Sequence, residues 1–145
     1  MTIFRTIAFY GFMAAAAELI GNGILYLSAD KIMPYHCKAM GKPWEELPDG
    51  AKTMSICFMK SAAAGMLSSG AAIVLLLVFP FRAGELWSDI AVSLTALLEH
   101  GIVFTRIMKV RSDTNGNPPI VFPAVILIIV FASIAFAIAG RVLVK

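Results

Sequence analysis

The chain has 145 residues, of which 59% are hydrophobic and 14% are charged, and its formal net charge at pH 7 is +3. A soluble domain is roughly 45–50% apolar and about 25% charged. The higher hydrophobic content and the lower charged content of this chain both indicate a protein whose solvent is the lipid bilayer. The length allows one integral membrane domain over residues 1–145. The small net charge gives no reason to expect a nucleic-acid partner.

Four apolar segments are each long enough to cross a membrane, which takes roughly 20 residues. They lie at about residues 5–28, 54–79, 86–109 and 120–142. Irregular backbone is not tolerated against lipid, and the segments lack the alternation of barrel strands. Apolar sequence continues beyond Ala14–Ala17, which favours an uncleaved first helix over a signal peptide. The predicted fold is therefore an all-α bundle of four membrane-spanning helices, with a long loop between the first two.

That long first loop, "DKIMPYHCKAMGKPWEELPDGAKT", mixes charged residues with aromatic residues, glycine and proline. We expect it to contain a short amphipathic segment at the membrane interface, which acts either as an anchor or as a lid over the bundle. The other two loops, "PFRAGE" and "VRSDTNGNPP", are short and rich in turn residues, so neighbouring helices should be antiparallel. The face of the first and third loops carries six lysines and arginines, against four on the face of the second loop and the termini, which favours the first and third loops in the cytoplasm.

Ionisable side chains inside the apolar segments are the main functional signal. A charge at the centre of a spanning helix costs roughly 2.5–3.5 kcal/mol on insertion scales, so such residues usually face the bundle interior. By rise per residue, Glu18, Lys60 and Glu99 lie in the half of the membrane nearer the first and third loops. We therefore predict a polar site there, with Glu18, Glu99 and His100 as catalytic candidates. The candidate binding residues are Asn22, Tyr26, His36, Trp44, Lys60 and Arg106.

Helical periodicity places the neighbours Glu99 and His100 on different stripes of the third segment, about 100° apart. His100 shares its stripe with Asp89. We expect Glu99 to face the bundle interior and to contact Lys60 of the second segment or Glu18 of the first. The opposing interpretation is that these charges only hold the helices together.

Two other kinds of site would use the same residues. His36 and His100 are the only histidines and could both ligate one haem, but they lie at different depths. Glu18, Glu99 and His100 could bind a metal ion together, although no second ligand lies on the same helix face. The sequence favours neither site and identifies no cofactor.

The second segment carries small residues at helical spacing in "KSAAAGMLSSGAA", with Ser61, Gly65, Ser68 and Ala72 on one face. Small residues let helix backbones approach closely in lipid. We interpret this face as packing within the bundle, in preference to a seam between two copies of the chain. Replacement of Gly65 by leucine is then expected to destabilise the bundle.

A resemblance to a known family lies in three stretches, "YHCKAMGKPWEEL", "MKSAAAGMLSSGAA" and "FPFRAGELWSDIAV". They resemble small bacterial four-helix membrane proteins of the DoxX-like group. The resemblance covers about half of the chain. It implies a protein of the bacterial inner membrane, and members of that group have been linked to redox or quinone-associated complexes. It carries over no residue roles, because no catalytic motif of the group can be matched here.

Two functions from different classes follow. The first is a site within the bundle for a lipid-like or quinone-like molecule. Glu99 or Glu18 would be the general acid or base there, Lys60 or Arg106 the counter-charge, and His100 the proton donor or relay. The second is a non-enzymatic subunit that packs against a larger membrane protein or a second copy of the chain. An enclosed polar cavity would favour the first function, and fully paired charges without a void would favour the second.

Overall fold

The computed structural model describes residues 1–143, and all of their regular elements are helices. These are α1 (Ile3–Ser28), α2 (Pro34–Met40), α3 (Asp49–Leu76), α4 (Leu86–Asp113) and α5 (Val121–Val142), with a 3₁₀ turn at Trp44–Glu46. The helices α1, α3, α4 and α5 are long and apolar enough to cross a membrane. The predicted all-α bundle of four spanning helices is confirmed, and the chain is a small multi-pass membrane protein.

Two of the spanning helices are longer than predicted. The second span begins at Asp49, directly after Pro48, and an acidic residue in a first turn stabilises a helix. It continues past Leu76 as a π turn, Leu77–Phe81, that contains Pro80. Because proline has no N–H to donate, it interrupts the regular hydrogen-bond ladder at this point. The third span continues to Asp113.

The short amphipathic segment expected in the first loop is α2. It begins at Pro34 and ends at Gly41, whose φ of 69° is readily adopted only by glycine. Ile32 and Leu47, on either side of α2, are buried together with Met59 of α3. These apolar contacts hold the loop against one end of the bundle.

The four long helices form a square, in which α1 and α4 each pack against α3 and α5 and face one another across the diagonal. The centre of the square is apolar. Its buried side chains include Phe12, Ala16, Ile73, Leu77, Val92, Ala96 and Val130. Within residues 1–143, polar contacts across the diagonal therefore occur only towards the two ends of the bundle.

Close packing of α3 against α1 depends on a different face from the one predicted. A Cβ atom placed on Gly70 would lie 2.7 Å from Cγ1 of Ile20 and 3.1 Å from the backbone oxygen of Ala16. A Cβ atom on Gly65 would meet nothing within 4 Å. The small-residue stripe predicted to pack within the bundle is exposed instead, at Ser61, Gly65, Ser68 and Ala72. That prediction is wrong, because α3 turns the face containing Gly70 towards α1.

Candidate functional site

A polar cavity of about 170 Å³ lies at the end of the bundle nearer the first and third loops. Helices α1, α3, α4 and α5 contribute to its wall, together with Tyr35 of α2 and the Pro118–Pro119 segment. Most of the lining is apolar. Its polar members are Glu18, Asn22, Tyr26, Tyr35 and His100.

His100 reaches this cavity from α4, and its side chain is only 5% exposed. Its Nδ1 atom lies 2.8 Å from the backbone oxygen of Ala96, one helical turn earlier. A carbonyl oxygen can only accept a hydrogen bond, so Nδ1 carries a proton and donates it to that bond. The tautomer and the direction of the ring are thereby set, and Nε2 is the atom turned towards Glu18, which also lines the cavity.

Glu18 faces this imidazole from α1, with a side chain that is 9% exposed. Its Oε1 atom accepts a hydrogen bond of 2.5 Å from Nδ2 of Asn22, one turn further along the same face. Its Oε2 atom lies 3.3 Å from Nε2 of His100. The distance is that of an ion pair, but the two groups are not aligned as a hydrogen bond. Within residues 1–143, Nε2 has no aligned hydrogen-bond partner.

The His100–Glu18 pair can therefore hold one proton in two ways. Either Nε2 is protonated and Glu18 is a carboxylate, or Glu18 is protonated and Nε2 has a free lone pair. A third molecule in the cavity could accept or donate this proton at Nε2.

Two tyrosines close the cavity towards the first loop. The hydroxyl of Tyr26 in α1 lies 2.6 Å from the hydroxyl of Tyr35 in α2. The ring of His36 lies edge-on against Tyr35, with 4.2 Å between the ring centroids. Burial, followed by the hydrogen bond with Tyr26, raises the pKa of Tyr35, and burial lowers the pKa of His36. This lid, formed by α2, is therefore uncharged at its contact with α1 near neutral pH.

Glu18, Asn22, Tyr26 and His100 are the predicted site residues that the fold brings together. Glu99 is half-buried on another face of α4 and accepts a hydrogen bond of 2.5 Å from Oγ of Ser69. The expected partners of Glu99 are thus wrong, because α4 turns the stripe of His100, not that of Glu99, towards the interior. The metal site of Glu18, Glu99 and His100 is not assembled, and residues 1–143 contain no other cluster of three such ligands.

The other predicted binding residues lie outside the cavity. Lys60 is half-buried and Arg106 is exposed, and neither contributes to its lining. His36 lies behind Tyr35 and borders a separate surface groove. Trp44 packs on the apolar cluster that holds the first loop against the bundle.

A second polar cluster, at the opposite end of the bundle, was not predicted. Nη1 of Arg5 and Nε of Arg141 both donate to Oδ2 of Asp89, at 2.7 and 2.8 Å. Nη2 of Arg5 donates to the backbone oxygen of Phe81 at 2.7 Å, and its guanidinium lies 4.3 Å from the centroid of the Phe81 ring. The signal was available, because Asp89 shares the inward stripe of His100.

Comparisons with protein-family models, with characterised proteins and with solved structures found no match to this chain. The resemblance to the DoxX-like group therefore stays a prediction from the sequence.

Proposed function

We propose that the cavity binds the polar end of a lipid-like or quinone-like molecule, and that the His100–Glu18 pair exchanges one proton with it. The observation that carries this proposal is the state of Nε2 of His100. This atom is buried, faces a carboxylate at 3.3 Å and lacks an aligned hydrogen-bond partner within residues 1–143. Buried polar atoms are rarely left in that condition, and such arrangements concentrate at functional sites.

The size of the cavity supports a head group rather than a whole ligand. Its volume is about 170 Å³, whereas sites that enclose drug-sized molecules span about 300–1,000 Å³. The lining also includes Leu25, Ile107 and Pro123, which offer an apolar surface to a hydrophobic tail. A molecule with a small polar ring or head and a long apolar tail fits both features.

The donors and acceptors of the wall suit oxygen-bearing head groups. When Nε2 of His100 is protonated, it can donate to a carbonyl oxygen of the ligand. When Nε2 is free, it can accept from a hydroxyl group of the ligand. A quinone and its reduced form present these two groups in turn. The amide of Asn22 holds Glu18 in place, so either form of the ligand would meet the same geometry.

The proposal is tested by titrating the full chain in lipid nanodiscs with a decyl-substituted benzoquinone and measuring the heat of binding. We expect saturable binding with one site per chain. Glu18→Gln and His100→Gln should each weaken it about tenfold, because a hydrogen bond to a charged group is lost. Glu99→Gln is the matched control, since Glu99 is bonded to Ser69 outside the cavity.

Two outcomes would contradict this function. One is the absence of saturable binding to the unaltered chain, and the other is an equal loss of affinity in Glu99→Gln. Thermal unfolding of each variant, followed by circular dichroism, separates a lost ligand contact from a lost fold. A single-chain lysophospholipid titrated in the same way distinguishes a lipid-like ligand from a quinone-like one.

The alternative function, an accessory subunit, is supported by a different observation. The small-residue face of α3 that was expected to pack internally is exposed, and Cys57, one turn before Ser61, is exposed too. In a Cys37→Ser background, oxidative cross-linking through Cys57 should then yield a dimer that Gly65→Leu abolishes. A monomer under both conditions would count against pairing of two copies through this face.

A further inference from the structure

Two neighbouring concave surfaces at the end of the bundle opposite the polar cavity share one arginine. The first is a depression of about 580 Å³ whose charged lining residues are Arg5, Arg82 and Arg141. The second is a groove of about 480 Å³ between α4 and α5, on the outside of the bundle. Arg141 belongs to both surfaces, so a polar pocket continues directly into an apolar groove.

The groove has the length and character of an acyl-chain site. Along α4 its lining runs from Leu86 to Leu97, which corresponds to about 17 Å at 1.5 Å per residue. That length is about half of the ~30 Å hydrocarbon core of a bilayer, or the depth of one leaflet. Apart from Asp89, Ser93 and Arg141, its lining is apolar. In a membrane, a surface of this kind is covered by a lipid chain.

The depression has an excess of positive charge. Within residues 1–143, Asp89 is the one carboxylate bonded to this group, and its Oδ2 atom already accepts from both Arg5 and Arg141. Nη2 of Arg141 is buried and has no hydrogen-bond partner within residues 1–143. Arg82 is exposed at the rim. Three guanidinium groups thus line the depression, and two of them share one carboxylate. Within residues 1–143, Nη2 of Arg141 lacks an acceptor, and Oδ1 of Asp89 lacks a donor.

We propose that this end of the protein binds an anionic phospholipid, with one acyl chain in the α4–α5 groove and the head group in the arginine-lined depression. The phosphodiester would accept from Nη2 of Arg141, and Arg82 would complete the contact from the rim, since arginine is well suited to phosphate. A zwitterionic lipid offers the same phosphate, but its ammonium group is repelled by the excess positive charge. This site is separate from the His100 cavity and does not depend on the function proposed for it.

The test uses Trp87 as a reporter, because it follows Leu86 at the mouth of the groove and is 55% exposed. The chain contains two tryptophans, so Trp44→Phe leaves Trp87 as the single tryptophan. The protein is reconstituted into vesicles of phosphatidylcholine and phosphatidylglycerol in which one lipid at a time carries brominated acyl chains. Comparing the quenching by each lipid at equal mole fraction gives their relative affinity for the surface near Trp87.

We expect phosphatidylglycerol to be preferred about fivefold, the ratio expected from one arginine beside an anionic head group. Arg82→Gln should bring the ratio close to one, whereas Arg106→Gln, an exposed arginine at the other end of the bundle, should leave it unchanged. The site is refuted if the unaltered chain shows no preference, or if Arg82→Gln keeps the full preference. An equal drop of the lipid preference in both variants would also refute the site. It would indicate that the anionic lipid is attracted to any positive charge on the protein.

Discussion

His100 and Glu18 meet across the diagonal of the helix square, with Nε2 of His100 3.3 Å from Oε2 of Glu18. The same two helices are joined at their other ends by Arg5 and Asp89, at 2.7 Å. Arg5 and Glu18 lie 13 positions apart in α1, or about 20 Å along the helix, and the core between them is apolar. The Arg5–Asp89 contact belongs to an ion cluster with several hydrogen bonds, and the His100–Glu18 contact borders the cavity. We therefore assign a structural role to the first and the proposed ligand site to the second.

The close approach of α3 to α1 predicts a position-specific effect of adding one methyl group. Gly70→Ala should destabilise the bundle by about 1–3 kcal/mol, the usual cost of overpacking, because the new Cβ would lie 3.1 Å from the Ala16 backbone oxygen. Gly65→Ala on the same helix is the control and should cost nothing, since its Cβ meets open space. Unfolding by sodium dodecyl sulfate in mixed micelles measures both. Equal stabilities of the two variants would show that Gly70 is not a contact point.

Asp89 is predicted to be the most important charge for stability. Asp89→Asn leaves the guanidinium groups of Arg5 and Arg141 without their shared carboxylate, and breaking a buried pair in this way costs about 3–5 kcal/mol. Glu85→Gln changes an exposed acid four residues earlier and should have little effect. The same unfolding measurement compares them. If Asp89→Asn unfolded like Glu85→Gln, the cluster would have no structural role.

The α2 lid is predicted to loosen in acid. Burial lowers the pKa of His36 below its ordinary value of about 6.5, and the rings that contact it, those of Tyr26 and Tyr35, carry no charge to offset a proton. In the open state, with α2 released from the bundle, His36 has its ordinary pKa and binds more protons below pH 6.5 than it does in the closed state. The stability of the closed lid is therefore present above that pH and is lost as the pH falls. Hydrogen exchange of the α2 amides, corrected for intrinsic rates, should show less protection at pH 5 than at pH 8.

His36→Gln is the control for the lid, because glutamine does not titrate in this range. Its α2 protection should be the same at both pH values. A pH dependence that persisted in this variant would assign the effect to another group.

The sequence was sufficient for the number of spanning helices and for the half of the bundle that holds the polar cavity. Apolar length is a strong signal for a spanning helix. The rise per residue places Glu18 towards the first-loop end of α1, and the structure has Glu18 in the wall of the cavity at that end. It also paired Glu18 with Asn22, because residues four apart share a helix face. These inferences need only one helix at a time.

The errors concern the rotation of helices relative to their neighbours. Periodicity separated the stripe of Glu99 from that of His100 but could not say which one faces inward, since both contain polar residues. Small residues likewise occur on two faces of α3, and only the packing of α1 distinguishes Gly70 from Gly65. The pairing of Arg5 with Asp89 joins residues 84 positions apart, and no local pattern encodes such a contact.

The orientation of the bundle stays a prediction from the distribution of positive charge. The first and third loops are expected in the cytoplasm, with both termini on the other side. Reporter fusions at Asn115 and at Lys145, which lies outside the described residues, should give opposite signals. Equal signals would mean that the two sites lie on one side and that the number of spans between them is even.

The most direct test of the ligand site is the ¹⁵N spectrum of the His100 ring in the membrane. The chain has two histidines, so a ¹⁵N-histidine-labelled His36→Gln variant shows His100 alone. We predict that Nδ1 is protonated and bonded to the Ala96 oxygen, and that its shift stays nearly constant when decyl-substituted benzoquinone is added. The Nε2 shift should move and then saturate as the ligand takes up the free bonding position. An Nε2 shift that stayed unchanged at saturating quinone would contradict the assignment of His100 to a quinone-like ligand.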